Sequence, residues 1–296
     1  MTKVYNRKTK QYEETKDYGG NALKHIYKNN LLVNIVTNKF ISKLYGLYNK
    51  SKLSKKKITK FIQENNIDMT LYQKEKYNSF NDFFIRKLKK INISKKGFIS
   101  PCQSKLLVYK ITKDLKVKIK NQEYNINELV DEELDYKNSY IFIYRLSVDN
   151  YHRFHYIDDG KRIKRVRCKG RLHTVSNYSK DYKIYKENER EYSILDTKHF
   201  GKIIYMEVGA LLIGKIVNYD LETFKRGEEK GYFLPGGSTV VVIANNIKVD
   251  QDILKNSKNN PASELENQQK LFVSLEKVLE DIKCYGWGVW RYSFNK

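Results

Sequence analysis

Cysteine is scarce in this chain of 296 residues, and Cys102, Cys168 and Cys284 are too few and too scattered to build a disulfide framework. No CxxC pair offers the usual zinc spacing, so a reducing compartment without a structural metal is the expected setting. Proline is equally thin, with only Pro101, Pro235 and Pro261. No stretch supplies the roughly 18 uncharged apolar residues that cross a bilayer, and MTKVYNRKTKQYEETKDYGG at the start lacks an apolar signal core. The chain is expected to be soluble or to lie on a membrane surface. Acidic residues are the minority: 34 Asp and Glu stand against 57 Lys and Arg, a formal net charge of +23. That excess favours an anionic partner, nucleic acid or an acidic lipid surface. A compositional bias toward Lys, Asn, Ile and Tyr along the whole chain would give the same sum with no partner at all. No recognised nucleic-acid motif accompanies the charge, so no nucleic-acid partner is expected.

What is present divides the chain into three stretches. Over residues 21–64, Leu23, Ile26, Tyr27, Leu31, Ile35, Phe40, Ile41, Leu44, Tyr45 and Tyr48 recur at helical spacing with lysines between them. Such a pattern suits a basic amphipathic element on an anionic interface, and equally an ordinary core-facing helix with a solvated lysine face. From residue 97 the period changes to strand-like runs at 105–111, 139–146, 201–208, 211–218 and 238–244. Helical spacing returns over 264–283. The expected fold is α+β, a mainly antiparallel β core with a helical N-terminal region and a C-terminal helix. The expected divisions are a basic, membrane-associating helical region at 1–75, a β-rich catalytic core at 76–258 and a helical tail at 259–296.

Gly236-Gly237-Ser238-Thr239 opens the apolar run at 238–244. Paired glycines before a strand are commonly just a turn. They also let the backbone reach conformations closed to other residues, and so expose the Gly237 carbonyl to the Ser238 hydroxyl. Attack there would turn the amide into an ester, and elimination across the serine would leave a ketoacyl N-terminus. A base is needed, and Tyr151-His152-Arg153-Phe154-His155 is the best supply in the sequence. In a strand the two histidines would face opposite sides; in a turn or helix they could converge.

Eight segments fall in one order: FNDFFIRKLK (80–89), ISPC (99–102), YHRFH (151–155), GRLHTVSN (170–177), NER (188–190), EVGALLIGKI (207–216), GEEKGYF (227–233) and GGSTVVV (236–242). In these the chain resembles the pyruvoyl-dependent phosphatidylserine decarboxylases in their proenzyme form, over roughly residues 75–255. The resemblance implies self-cleavage between Gly237 and Ser238, giving a large and a small chain that remain together as a heterodimer, with a higher oligomer left open. Ser238 becomes the pyruvoyl group, which forms a Schiff base with phosphatidylserine and takes the electrons freed as CO2 leaves, yielding phosphatidylethanolamine without PLP or metal. By the same resemblance His155 is the base that activates Ser238, and His152 helps position or protonate the substrate. The implied location is peripheral, on the cytoplasmic face of the cell membrane, with phosphatidylserine and the anionic surface as partners.

The chain departs from the family's SPxDG, reading Ser100-Pro101-Cys102-Gln103-Ser104. Gln103 stands where a carboxylate orients and charges the histidine. A neutral amide lacks that charge, and in serine proteases the matching Asp-to-Asn exchange lowers turnover about 10⁴-fold. Maturation happens once per molecule, so a slow cut still suffices; Asp149 is a nearby carboxylate that could substitute. Should Gln103 stop cleavage altogether, the alternative is an uncut proenzyme that binds acidic phospholipid without turnover. Phe80, Phe83, Phe84 and Arg86 read as a core helix with a snorkelling basic edge, or as a lipid contact. Asn188, Glu189 and Arg190 read as braces for the site, and Tyr151 as packing. The Trp287-Gly288-Val289-Trp290 end has no family counterpart.

Overall fold

The structure, a computed structural model, describes residues 2–6, 9–15, 20–91, 93–94, 97–119, 122–130, 136, 139–174, 179, 182–211, 215–236, 238–245, 247–258 and 270–272. Its strands are β1 (Thr2–Asn6), β2 (Gln11–Thr15), β3 (Lys105–Lys110), β4 (Lys116–Ile119), β5 (Gln122–Asn125), β6 (Tyr140–Leu146), β7 (Arg153–His155), β8 (Gly160–Cys168), β9 (Arg190–Thr197), β10 (Gly201–Gly209), β11 (Ile216–Asn218), β12 (Thr223–Phe224), β13 (Glu229–Phe233), β14 (Ser238–Ala244) and β15 (Lys270–Phe272). The helices are α1 (Gly20–Ile26), α2 (Asn30–Val36), α3 (Lys39–Lys50), α4 (Lys56–Asn65), α5 (Phe80–Phe84), α6 (Ile126–Val130), α7 (Ile184–Glu187) and α8 (Gln251–Lys258).

Side-chain chemistry sets the helical boundaries. Asn29 and Asn38 cap α2 and α3 by accepting the amides of Leu31 and Phe40, Ser79 caps α5 through the Asp82 amide, and α4 stops at Asn66 in the left-handed region. The region expected at 1–75, with its helical pattern over 21–64, opens with the β1–β2 hairpin, whose short alternating strands fold back through Lys10.

The main sheet runs β12-β8-β9-β10-β14-β6-β3-β15-β1-β2 and is antiparallel except where β1 meets β15. Strand β14 lies inside it and is buried along its whole length. Val240, Val242 and Ala244 enter one apolar cluster with Phe98, Phe142 and Tyr205, while Val241 and Ile243 enter the other with Leu129, Ile194 and Ile204. A strand covered on both faces has no polar side to show, hence the unbroken run TVVVIA. The α+β architecture with a mainly antiparallel core is therefore what the chain adopts.

A second sheet, β11-β13-β7, carries the two-histidine segment, and His155 pairs with Glu229 in its register. Lys230 sits at an irregularity in β13 and turns inward to Glu207 of β10 at 2.7 Å, a fully buried ion pair that joins the two sheets. Only Ile216–Asn218 of the run expected at 211–218 forms a strand; residues 212–214 lie outside the described residues. Within the stretch expected to be helical over 264–283, Lys270–Phe272 is a strand instead, filling the ladder between β3 and β1. The rest of that stretch and the Trp287–Trp290 end lie outside the described residues.

Candidate active site

Ser238 opens β14 between two neighbours, opposite Leu146 of β6 and Gly209 of β10. It is completely buried, and its Oγ has no hydrogen-bond partner among the described residues. A buried hydroxyl left unbonded carries a desolvation penalty of about 1–3 kcal/mol, a state that Ser238 shares with the hydroxyls of Ser42, Ser193 and Thr239. Upstream, Gly236 has φ of 147°, where an L side chain is disfavoured. Gly237, the other half of the expected cleavage site, lies outside the described residues.

The register across β10 is braced from behind by the Asn-Glu-Arg segment. Asn188 Nδ2 donates to the carbonyls of Gly209 and His173 at 2.7 and 2.8 Å, and its Oδ1 accepts the His173 amide at 2.9 Å. One amide side chain thus ties the residue opposite Ser238 to the His173 segment, the bracing role expected of it.

His152 is fixed by the turn before it. Asn150 Oδ1 accepts the Ser147 amide at 2.7 Å, and the Asn150 carbonyl faces His152 Nδ1 at 2.8 Å. A carbonyl can only accept, so Nδ1 carries the proton and Nε2 is the basic nitrogen. Nε2 forms no hydrogen bond among the described residues, and the Gly236 backbone lies beside the ring. The Phe84 ring covers the imidazole at 4.0 Å between centroids, which brings the 80–89, 151–155 and 236–242 segments to one place. Burial, aided by the Arg86 guanidinium, pushes His152 down to about 3.

His155 occupies the strand end. Its Nδ1 faces the Gly227 carbonyl at 3.0 Å, presented by a left-handed glycine with φ of 76°, so here too Nε2 is the basic nitrogen. Tyr151 stacks on it, with centroids 6.3 Å apart and planes within 9°. Burial lowers His155 to about 4, against the pull of the Glu229 carboxylate. Both imidazoles are therefore neutral at pH 7 and able to accept a proton. Because Ser238 Oγ has no hydrogen-bond partner, neither is bonded to it in this uncut chain.

Gln103 does something the sequence did not reveal. Its Oε1 accepts the Tyr151 amide at 2.6 Å, while the Pro101 carbonyl accepts the His155 amide at 2.8 Å. Two hydrogen bonds thus lace the Ser100–Ser104 loop along the histidine segment. Asp149 makes no hydrogen bond through Oδ1; its carbonyl instead accepts Arg86 Nη2 at 3.0 Å. Arg86 itself does not snorkel. It is buried to 2% exposure between aromatic rings, because Tyr72 and the 149–150 turn close over it from outside its own segment.

Comparison with known proteins adds the following. Residues 80–265 match the family model described as phosphatidylserine decarboxylase. Phosphatidylserine decarboxylase proenzyme 2 of Clostridium acetobutylicum is 46% identical over 269 residues, covering 86% of this chain and 92% of its own. The phosphatidylserine decarboxylase proenzyme of Clostridium tetani is 42% identical over 276 residues, covering 87% and 93%. That of a Clostridium botulinum strain is 40% identical over 282 residues, covering 87% and 94%.

Proposed function

The chain belongs to the phosphatidylserine decarboxylase family, and from that premise we propose that it cuts itself between Gly237 and Ser238 and then converts phosphatidylserine into phosphatidylethanolamine and CO2. The observation that carries this reading is the buried, unbonded hydroxyl of Ser238, two residues after Gly236, whose backbone lies beside the His152 ring.

In the cut, His155 Nε2 takes the Ser238 proton as Oγ attacks the Gly237 carbonyl carbon. The C–N bond breaks in favour of an ester as the imidazolium returns that proton to the Ser238 nitrogen. Loss of the Ser238 α-proton then expels the Gly237 carboxylate, and water releases ammonia from the resulting dehydroalanine. What remains is a pyruvoyl group heading residues 238–296. A serine that is fully buried and pinned on both sides by the sheet fits such a group: Leu146 and Gly209 would hold its backbone. The ketone supplies an electron sink for loss of the substrate carboxylate as CO2. His152, covered by Phe84 and held at Nδ1 by the Asn150 carbonyl, takes up at Nε2 a proton that the substrate ammonium gives up on binding, and returns it to the product.

The two pieces stay together as a heterodimer, since β14 keeps its ladders with β6 and β10 after the cut. Residues 1–75 serve as the membrane-associating region and 76–258 as the catalytic core. The protein works peripherally, at the cytoplasmic face of the cell membrane. Supporting this, Leu31, Phe40 and Leu47 of α2 and α3, and Leu53 in the turn after α3, are between 57% and 72% exposed in a stretch of sequence that also carries Lys43, Lys50, Lys52, Lys55 and Lys56. Exposed apolar side chains flanked by lysines match an anionic bilayer, at about 1 kcal/mol for each basic residue near the surface. No helix among the described residues is long and apolar enough to cross a membrane.

Denaturing mass spectrometry tests the reading. Two chains meeting at Gly237/Ser238, the smaller blocked by a ketoacyl group, are expected from the parent, and one intact chain without decarboxylation from Ser238→Ala. A single 35.2 kDa species from the parent after long incubation would instead leave a lipid-binding proenzyme.

A further inference from the structure

Arg86 is the buried charge next to His152 that the chemistry above leaves unused. Its guanidinium lies 4.7 Å from the centroids of both Tyr72 and Phe83. Nη2 donates to the carbonyls of Asp149 at 3.0 Å and Asn150 at 3.4 Å. The Asn150 carbonyl is also the one that takes the His152 Nδ1 proton, so guanidinium and imidazole converge on a single atom. The remaining nitrogens, Nε and Nη1, are buried without partners among the described residues. Orphan donors on a cation are more costly than on a neutral group. Asp149, on the same turn, also keeps a buried Oδ1 unbonded, so the two opposite charges do not satisfy one another. A cation and an anion that each retain open atoms suit a ligand that brings both signs.

We propose that Arg86 receives the phosphodiester of the phosphatidylserine headgroup and is the specificity-determining residue that places the serine moiety against His152 and Ser238. This rests on the decarboxylase reading above. Of the two anions in that headgroup, the phosphodiester is the one such a cation should hold. A guanidinium on the carboxylate would stabilise the ground state and lose its partner as CO2 departs, which raises the barrier. The phosphodiester keeps its charge from binding through product release, and planar guanidinium donors match its oxygens.

The test compares the parent, Arg86→Met and Arg86→Lys as full chains on dihexanoylphosphatidylserine and on phosphate-free O-hexylserine, which keeps the amine and carboxylate. Mass spectrometry first measures the fraction cut, so that failed maturation is read separately from failed recognition, and rates are referred to cut chain. The parent should show a KM at least about tenfold lower for the phospholipid. Arg86→Met should raise that KM by about 10- to 100-fold while moving the KM for O-hexylserine less than about twofold, with Arg86→Lys between. Equal KM values in the parent, an equal rise on both substrates, or a fall in kcat alone would overturn the proposal. If the parent stays uncut, the self-cutting reading fails and calorimetric binding of dihexanoylphosphatidylserine decides the Arg86 question by itself. About tenfold weaker binding to Arg86→Met upholds the assignment, and equal binding overturns it.

Discussion

Gln103 shows how much one missing charge can be asked to explain. Its amide oxygen holds the Tyr151 backbone, a task that needs an acceptor and no charge. In the proposed cut, a carboxylate would stabilise the imidazolium formed as His155 takes a proton, so Gln103→Asp should speed self-cutting at least about tenfold, read as a time course of cut chain; no acceleration would remove position 103 from the proton transfer. The histidines also set a pH dependence. Both are pushed below their ordinary value of 6.5, to about 3 and about 4, so the unfolded chain binds more protons than the folded one below pH 6.5. Their stabilising contribution is complete above that pH and is lost as pH falls through about 4 for His155 and about 3 for His152. Denaturant midpoints should therefore drop from pH 6.5 to 4, while the self-cutting rate stays flat down to about pH 5. A cutting rate that titrates near 6.5 would contradict imidazoles kept neutral by burial among Arg86, Arg153 and Glu229. At this scale the motifs singled out Ser238, His152 and His155, all of which the structure buries, but not the burial of Arg86. That burial was not readable in the sequence, because it comes from Tyr72 and from the 149–150 turn, far away along the chain.

Elements were legible where both sequence and burial were one-sided in character. Strands β3, β6, β10 and β14 announce themselves as apolar runs because they lie in the interior of the sheet, and α3 and α4 by their spacing. Strand β8, Gly-Lys-Arg-Ile-Lys-Arg-Val-Arg-Cys, hides because it lies toward the sheet's edge and spends its side chains on ion pairs such as Arg165–Glu191 at 2.5 Å. The bond between the sheets was invisible too, since Lys230 and Glu207 look like surface residues until β13 turns the lysine inward. Glu207 also accepts Asn218 at 2.9 Å, so the carboxylate is enclosed by its partners. Lys230→Met should leave it buried and unpaired, lowering stability by about 3–5 kcal/mol in denaturant unfolding, and Glu207→Gln in the same chain should recover part of the loss. A loss below about 1 kcal/mol would mean that the carboxylate finds water instead.

At the scale of the whole molecule, the proposed membrane attachment draws on the net charge of +23 and on the exposed apolar side chains of the N-terminal helices. Replacing Leu31, Phe40, Leu47 and Leu53 with serine should weaken sedimentation with phosphatidylserine vesicles by at least about tenfold without lowering the thermal midpoint, since these side chains contribute little to the core. Binding that survives the change but vanishes at high salt would assign the attachment to the lysines alone. The position of Ser238, wedged between β6 and β10, has a further consequence for the lifetime of each molecule. On the proposed reading, a prosthetic group made from a residue inside a sheet cannot be swapped for a fresh one, and no pool of free pyruvate can replace it. A copy whose ketone is reduced or aminated in a side reaction is then spent, and only a newly translated chain restores the proposed activity.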